Sequence, residues 1–152
     1  MAVVCLGNPI LGDDAFGLLV ARELEGTVGA DILSLEGGGL DVALKLIPYS
    51  QVLVVDAIET VAGKVGEMVE LTVEELATSK GLEGHALSLA QALEALQLLS
   101  GDALRSVEIL ACRIRPVETY GEAISPAVRA AVRQCAKRAK AWVLEGAPAR
   151  NL

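Results

Sequence analysis

Residues 6–17, Leu-Gly-Asn-Pro-Ile-Leu-Gly-Asp-Asp-Ala-Phe-Gly, constrain the fold more than any other stretch of the chain. They follow an apolar run, Ala2-Val3-Val4-Cys5-Leu6, that is short enough for a buried strand. Gly7, Pro9 and Gly12 interrupt any regular element, and Asp13 and Asp14 stand just before a helical pattern carried by Leu18, Leu19, Ala21, Arg22 and Leu24. Strand, glycine-rich turn, carboxylates and helix place two acids at the carboxyl end of a first strand, the edge where open α/β sheets bind ligands. Capping accounts for one of them, because an aspartate accepts an orphan amide N–H and suits the positive end of the helix dipole. Asp13 takes that reading, which leaves Asp14 for chemistry.

A chain of 152 residues is long enough for one proper core and short for two. The expected organisation is a single α/β domain over residues 1–146, with a disordered tail over 147–152 after Gly146. Hydrophobic residues make up 53% of the chain but aromatic ones only 3%, so Ala, Val, Leu and Ile must fill the core, as they do in a parallel sheet covered by helices. A net charge of −7 argues against a nucleic-acid backbone or an anionic membrane as partner. Cys5, Cys112 and Cys135 are widely spaced and odd in number, which reads as three buried thiols in a reducing compartment. With no basic leader ahead of the first strand and no apolar run near the ~20 residues a span needs, the expected location is the cytoplasm.

Along the chain, Ala15–Leu24 reads as a helix, Ala30–Leu35 as a strand and Glu36-Gly37-Gly38-Gly39 as a turn where backbone can approach a ligand closely. Leu40–Ile47 fits a helix stopped by Pro48. Val52-Leu53-Val54-Val55 is β-branched without alternation, a strand covered on both faces that ends at Asp56. The alternation around Val69 and Leu71 predicts an edge strand, and Leu87, Leu89, Ala90, Leu93, Leu96 and Leu99 predict a helix opened by His85. Val107–Ala111 is a last buried strand, and Ser125-Pro126 opens a final helix with Ser as N-cap and Pro at N1. The expected fold is a three-layer αβα sandwich around a twisted, mostly parallel sheet of about five strands.

Asp14, Asp56 and His85 therefore share one kind of place: two acids after parallel strands, and the chain's one histidine opening a helix. Taken singly, each has an ordinary explanation as a cap, a turn residue or a solvated side chain. Together they form a mixed oxygen and nitrogen set that suits nickel, zinc or manganese. No serine lies in a Gly-x-Ser-x-Gly elbow, and His85 has no evident cysteine partner. One nitrogen and no thiolate make a sparse site for a resident ion, unless a substrate supplies further ligands. Arg113 and Arg115, past the last strand, have the chemistry to clamp a carboxylate, though a solvated loop explains them as well. Arg129, Arg133 and Lys137 line the polar face of the final helix and argue no nucleic-acid site.

Gly7-Asn8, Gly12-Asp13-Asp14-Ala15-Phe16-Gly17, Val54-Val55-Asp56-Ala57 and Gly84-His85-Ala86-Leu87 resemble, in order, the signature of the hydrogenase maturation endopeptidases. Glu36-Gly37-Gly38 and the late Arg115-Pro116 ahead of a Ser-Pro helix extend the resemblance over nearly the whole chain. It implies an enzyme that removes a C-terminal extension from the large-subunit precursor of a nickel–iron hydrogenase. It also implies metal-touching acids at Asp14 and Asp56 and a histidine ligand at His85. The nickel would be the one already inserted in the client, with no tightly held cofactor of the protease's own. Glu36 stands where the family commonly has Asp, and with Gly37 and Gly38 it is a candidate for substrate binding. The expected partner is the immature large subunit, met by a monomer. A nickel-sensing checkpoint without catalysis, or a metallohydrolase carrying its own zinc, are the rival readings.

Overall fold

The computed structural model describes residues 1–37, 39–78 and 85–146, without the side chains of residues 85–88. Five strands form one sheet in the order β2-β1-β3-β5-β4. They are β1 (Ala2–Gly7), β2 (Asp31–Glu36), β3 (Gln51–Glu59), β4 (Met68–Leu71) and β5 (Ser106–Ile114). β2, β1, β3 and β5 run parallel, and only β4 lies antiparallel, on the far side of β5. The helices are α1 (Phe16–Glu23), α2 (Leu40–Leu46), α3 (Val73–Thr78), α4 (His85–Ser100) and α5 (Pro126–Glu145).

Both central strands read as unbroken apolar runs because both of their faces are covered. On one face Val3, Cys5, Val55 and Cys112 pack against Phe16, Val20, Val132 and Cys135 of α1 and α5. On the other, Val4, Leu6, Val54 and Ile109 meet Val42, Leu46, Leu93 and Leu96 of α2 and α4. The alternation of side chains across each strand sorts neighbours into the two layers. The expected three-layer sandwich with a mostly parallel sheet is the fold.

Local signals placed several ends well. Ser125 caps α5 by accepting the Val128 N–H at 3.4 Å, with Pro126 opening the helix. Thr72 and Glu75 form a reciprocal capping box at α3: the Glu75 N–H donates to Thr72 Oγ1 at 3.1 Å, and the Thr72 N–H to Glu75 Oε2 at 2.7 Å. Met68–Leu71 is the antiparallel edge strand that its alternation predicted.

One boundary differs with consequence. The apolar run Val52–Val55 predicted a strand ending at Asp56, yet β3 continues to Glu59. β5 keeps pairing with it through Glu59–Ile114, while β1 pairs with β3 only as far as Cys5–Val55. Asp56 thus belongs to a strand that has lost its neighbour on one side and kept it on the other. The expected tail, residues 147–152, lies outside the described residues. Among the described residues, no helix is long and apolar enough to cross a membrane.

Candidate active site

β1 leads by way of α1 to β2 on one side of it, while β3 lies on its other side, so the chain changes direction in the sheet between β1 and β3. That switch point, at the carboxyl ends of the strands, is where doubly wound sheets open a ligand crevice. Here β1 and β3 part after Cys5 and Val55. The turn after β1 fills the gap: Gly12–Ala15 winds into a single 3-10 turn packed against both strands. It carries Asp14, and β3 carries Asp56 one residue beyond the split.

Two glycines hold this turn down. A β-carbon on Gly17 would overlap the Leu6 carbonyl oxygen, and one on Gly7 would lie 2.7 Å from the carbonyl oxygen of Asp14. Helix α1 therefore starts directly on the backbone of β1, and the Asn8 N–H donates to the Asp14 carbonyl at 3.1 Å.

Asp56 is 1% exposed, one of two buried polar residues among those described. Its Oδ1 accepts the Ala57 N–H at 2.8 Å, on a segment that β1 no longer pairs with. Burial pushes the Cys5 thiol up to about 12, and the Asp56 carboxylate adds to the rise. Burial likewise holds Cys112 at about 12, helped by Asp13, and raises Cys135 further. All three thiols are free and buried, as the sequence predicted, and are inert as nucleophiles.

Asp13 does not cap the helix that follows it, contrary to expectation; neither the 3-10 turn nor α1 has a side-chain cap. Its carboxylate accepts the Ser125 N–H at 2.7 Å and the Ser125 Oγ–H at 2.9 Å, pinning the acidic turn to the start of α5. Arg115 is also structural. It donates to the carbonyls of Thr60 at 2.8 Å and Gly63 at 2.7 Å, holding the loop after β3, while Arg113 pairs with Glu67 at 3.0 Å. Both guanidinium groups are thus engaged within the chain, a use that only the folded loops reveal.

His85 is the first residue of α4; its side chain lies outside the described residues, as do Gly84 and Gly38. Glu36 ends β2 with its side chain exposed, in register with Gly7, and Gly37 follows with φ +108° and open space where a side chain would be. Among the described residues, no group of three His, Cys, Asp or Glu could hold a metal ion. A cavity of about 610 Å³ lies elsewhere, beside the amino-terminal half of β5, lined in part by Glu70, Glu108, Arg138 and Trp142.

With this geometry in view, residues 21–142 match the family model for HycI, hydrogenase maturation protease. The chain belongs to that family. Its fold is similar to hydrogenase maturating endopeptidase HybD from E. coli, with a TM-score of 0.79, 21% identity, and 96% of this chain and 94% of that one covered. It is also similar to the [NiFe] hydrogenase maturation protease HycI from Thermococcus kodakarensis, with a TM-score of 0.75, 23% identity, and 95% and 92% coverage. A hydrogenase 2 maturation peptidase from Thaumarchaeota archaeon SCGC_AB-539-E09 matches with a TM-score of 0.63 and 22% identity over 97% and 98% of the two chains. No curated protein matches the sequence.

Proposed function

We propose that this hydrogenase maturation endopeptidase removes the C-terminal extension of a nickel–iron hydrogenase large-subunit precursor, and that Asp14, Asp56 and His85 grip the nickel the precursor already holds. The observation that carries the reading is the split between β1 and β3, which sets one acid on each lip at the sheet's switch point. Two carboxylates and one imidazole offer oxygen and nitrogen donors to a borderline divalent metal. A client that keeps its own ligands on the ion would complete the set, so the protease tests for loading as it binds.

The chemistry follows from what the chain lacks and holds. Its thiols are protonated and buried, so acyl transfer to cysteine is not available. Hydrolysis then calls for water, with a carboxylate positioned to take its proton and nickel on the client to polarise the scissile carbonyl. Asp13 and Arg115 serve this arrangement at one remove, fixing the turn and loop on either side of it. The protein works in the cytoplasm as a monomer, on a client that is itself folded around the metal.

Nickel-loaded and nickel-free precursor are each incubated with the parent protein and with Asp14→Asn, Asp56→Asn and His85→Ala, and the released peptide is weighed by mass spectrometry. The parent is expected to cleave only the loaded form, and each variant to release less than a hundredth as much while unfolding within a few degrees of the parent. Release by His85→Ala at the parent rate would remove the histidine from the site. Cleavage of neither precursor by the parent would favour a checkpoint that binds without cutting.

A further inference from the structure

The two edges of the sheet are built differently. β4, at one edge, has four residues, and its Glu70 is paired with Arg138 of α5. A short strand with an engaged charge is a poor template for another chain. β2, at the other edge, has six residues, and the four between Asp31 and Glu36 are the uncharged Ile-Leu-Ser-Leu. No bulge, proline or lysine blunts it, and of the acids at its two ends Asp31 accepts the Tyr49 Oη–H at 2.8 Å.

The direction of the free backbone groups is fixed by the pairing with β1. The Asp31 N–H donates to the Met1 carbonyl at 3.2 Å, so Asp31 faces β1. In a parallel strand alternate residues turn both backbone groups to the same side. Leu33 and Leu35 therefore also face β1, and Ile32, Ser34 and Glu36 present their N–H and C=O groups outward from the edge of the sheet. This row ends at Glu36, in register with Gly7 on the side of β1 away from β3, and Gly7 itself lies against the carbonyl of Asp14.

We propose that this edge receives the client's C-terminal extension as an added strand, antiparallel to β2. The inference rests on the proposed function, since it takes the scissile bond to lie at the crevice. The folded body of the client must remain at the rim, and its extension is the part free to straighten. Leaving the crevice beside Glu36, the extension runs toward Asp31, against the direction of β2. Backbone pairing of this kind gives affinity with little demand on side chains. From Glu36 to Ile32 is about 13 Å, which a chain covers in about five residues.

Two measurements test the pairing. Ser34→Pro removes one outward N–H at a position where an edge strand tolerates proline, because Ser34 makes no backbone bond to β1. With nickel-loaded precursor it is expected to raise KM by about tenfold with kcat within twofold, the loss of one or two hydrogen bonds. With a precursor shortened to one residue past the scissile bond, parent and variant should have equal KM. Independently, prolines placed one at a time along the extension are tested with the parent protein. KM should rise at every second position over about five residues and return to baseline beyond. An unchanged KM for Ser34→Pro, an equal rise with the shortened precursor, or a proline profile without a period of two would each overturn the proposal while cleavage by the parent stands. Failure of the parent to cleave any loaded precursor would instead overturn the function on which it rests.

Discussion

Asp13 and Asp14 are neighbours in one turn with different occupations. Asp13 spends both carboxylate oxygens on Ser125, a residue 112 positions later. No local pattern announces such a bond, which is why capping was the natural reading of the sequence. Asp14 lies on the same turn, beside β3. Removing Asp13 leaves the Ser125 N–H without its partner at a partly buried position. Asp13→Ala should therefore lower unfolding free energy by about 1–3 kcal/mol in urea titrations. An unchanged unfolding free energy would mean that the tie between Asp13 and Ser125 does not hold the turn in place. Asp14 and Asp56 were legible as acids near strand ends. Arg113 and Arg115 were not legible as clamps on their own loops, because their partners Glu67, Thr60 and Gly63 come together only in the fold.

At the scale of elements, the site depends on how closely α1 approaches β1. The spacing of Gly7, Gly12 and Gly17 is visible in the sequence as turn chemistry, but the reason for Gly17 is packing, since any side chain there would occupy the place of the Leu6 carbonyl. Helix and strand touch backbone to backbone, as they do at the third glycine of dinucleotide-binding turns. Gly17→Ala is expected to cost about 3 kcal/mol, the upper range for overpacking, and to lower processing further than stability alone explains, because the 3-10 turn must move with the helix. Thermal unfolding alongside peptide release checks both parts; a variant that is destabilised yet fully active below its Tm would detach the turn from catalysis. The order of strands and helices was readable from periodicity. The length of β3 was not, since a carboxylate after four apolar residues looks like a strand's end. Only the continued pairing with β5 carries the strand through Asp56.

For the whole molecule, the layer between the sheet and helices α1 and α5 holds all three thiols, from β1, β5 and α5. Each is raised from an ordinary 9.0, Cys5 and Cys112 to about 12 and Cys135 further, with burial as the main cause in every case. A thiol whose folded value exceeds its unfolded value binds its proton more tightly in the native protein. The stability it contributes is complete below pH 9 and drains away as pH climbs from 9 toward 12, because the unfolded chain ionises first. Between pH 8 and pH 10 the loss should approach about 1.4 kcal/mol per thiol. Other groups titrate in the same window, so the informative comparison is a difference. Cys135→Ala lowers stability at every pH by removing packed sulfur, but it also deletes one of the three titrations. The gap between parent and variant should therefore narrow by about 1.4 kcal/mol from pH 8 to pH 10 in urea unfolding. A gap that stays constant would mean that Cys135 reaches solvent in the folded chain, and with it that the layer between the sheet and helices α1 and α5 is not closed to water.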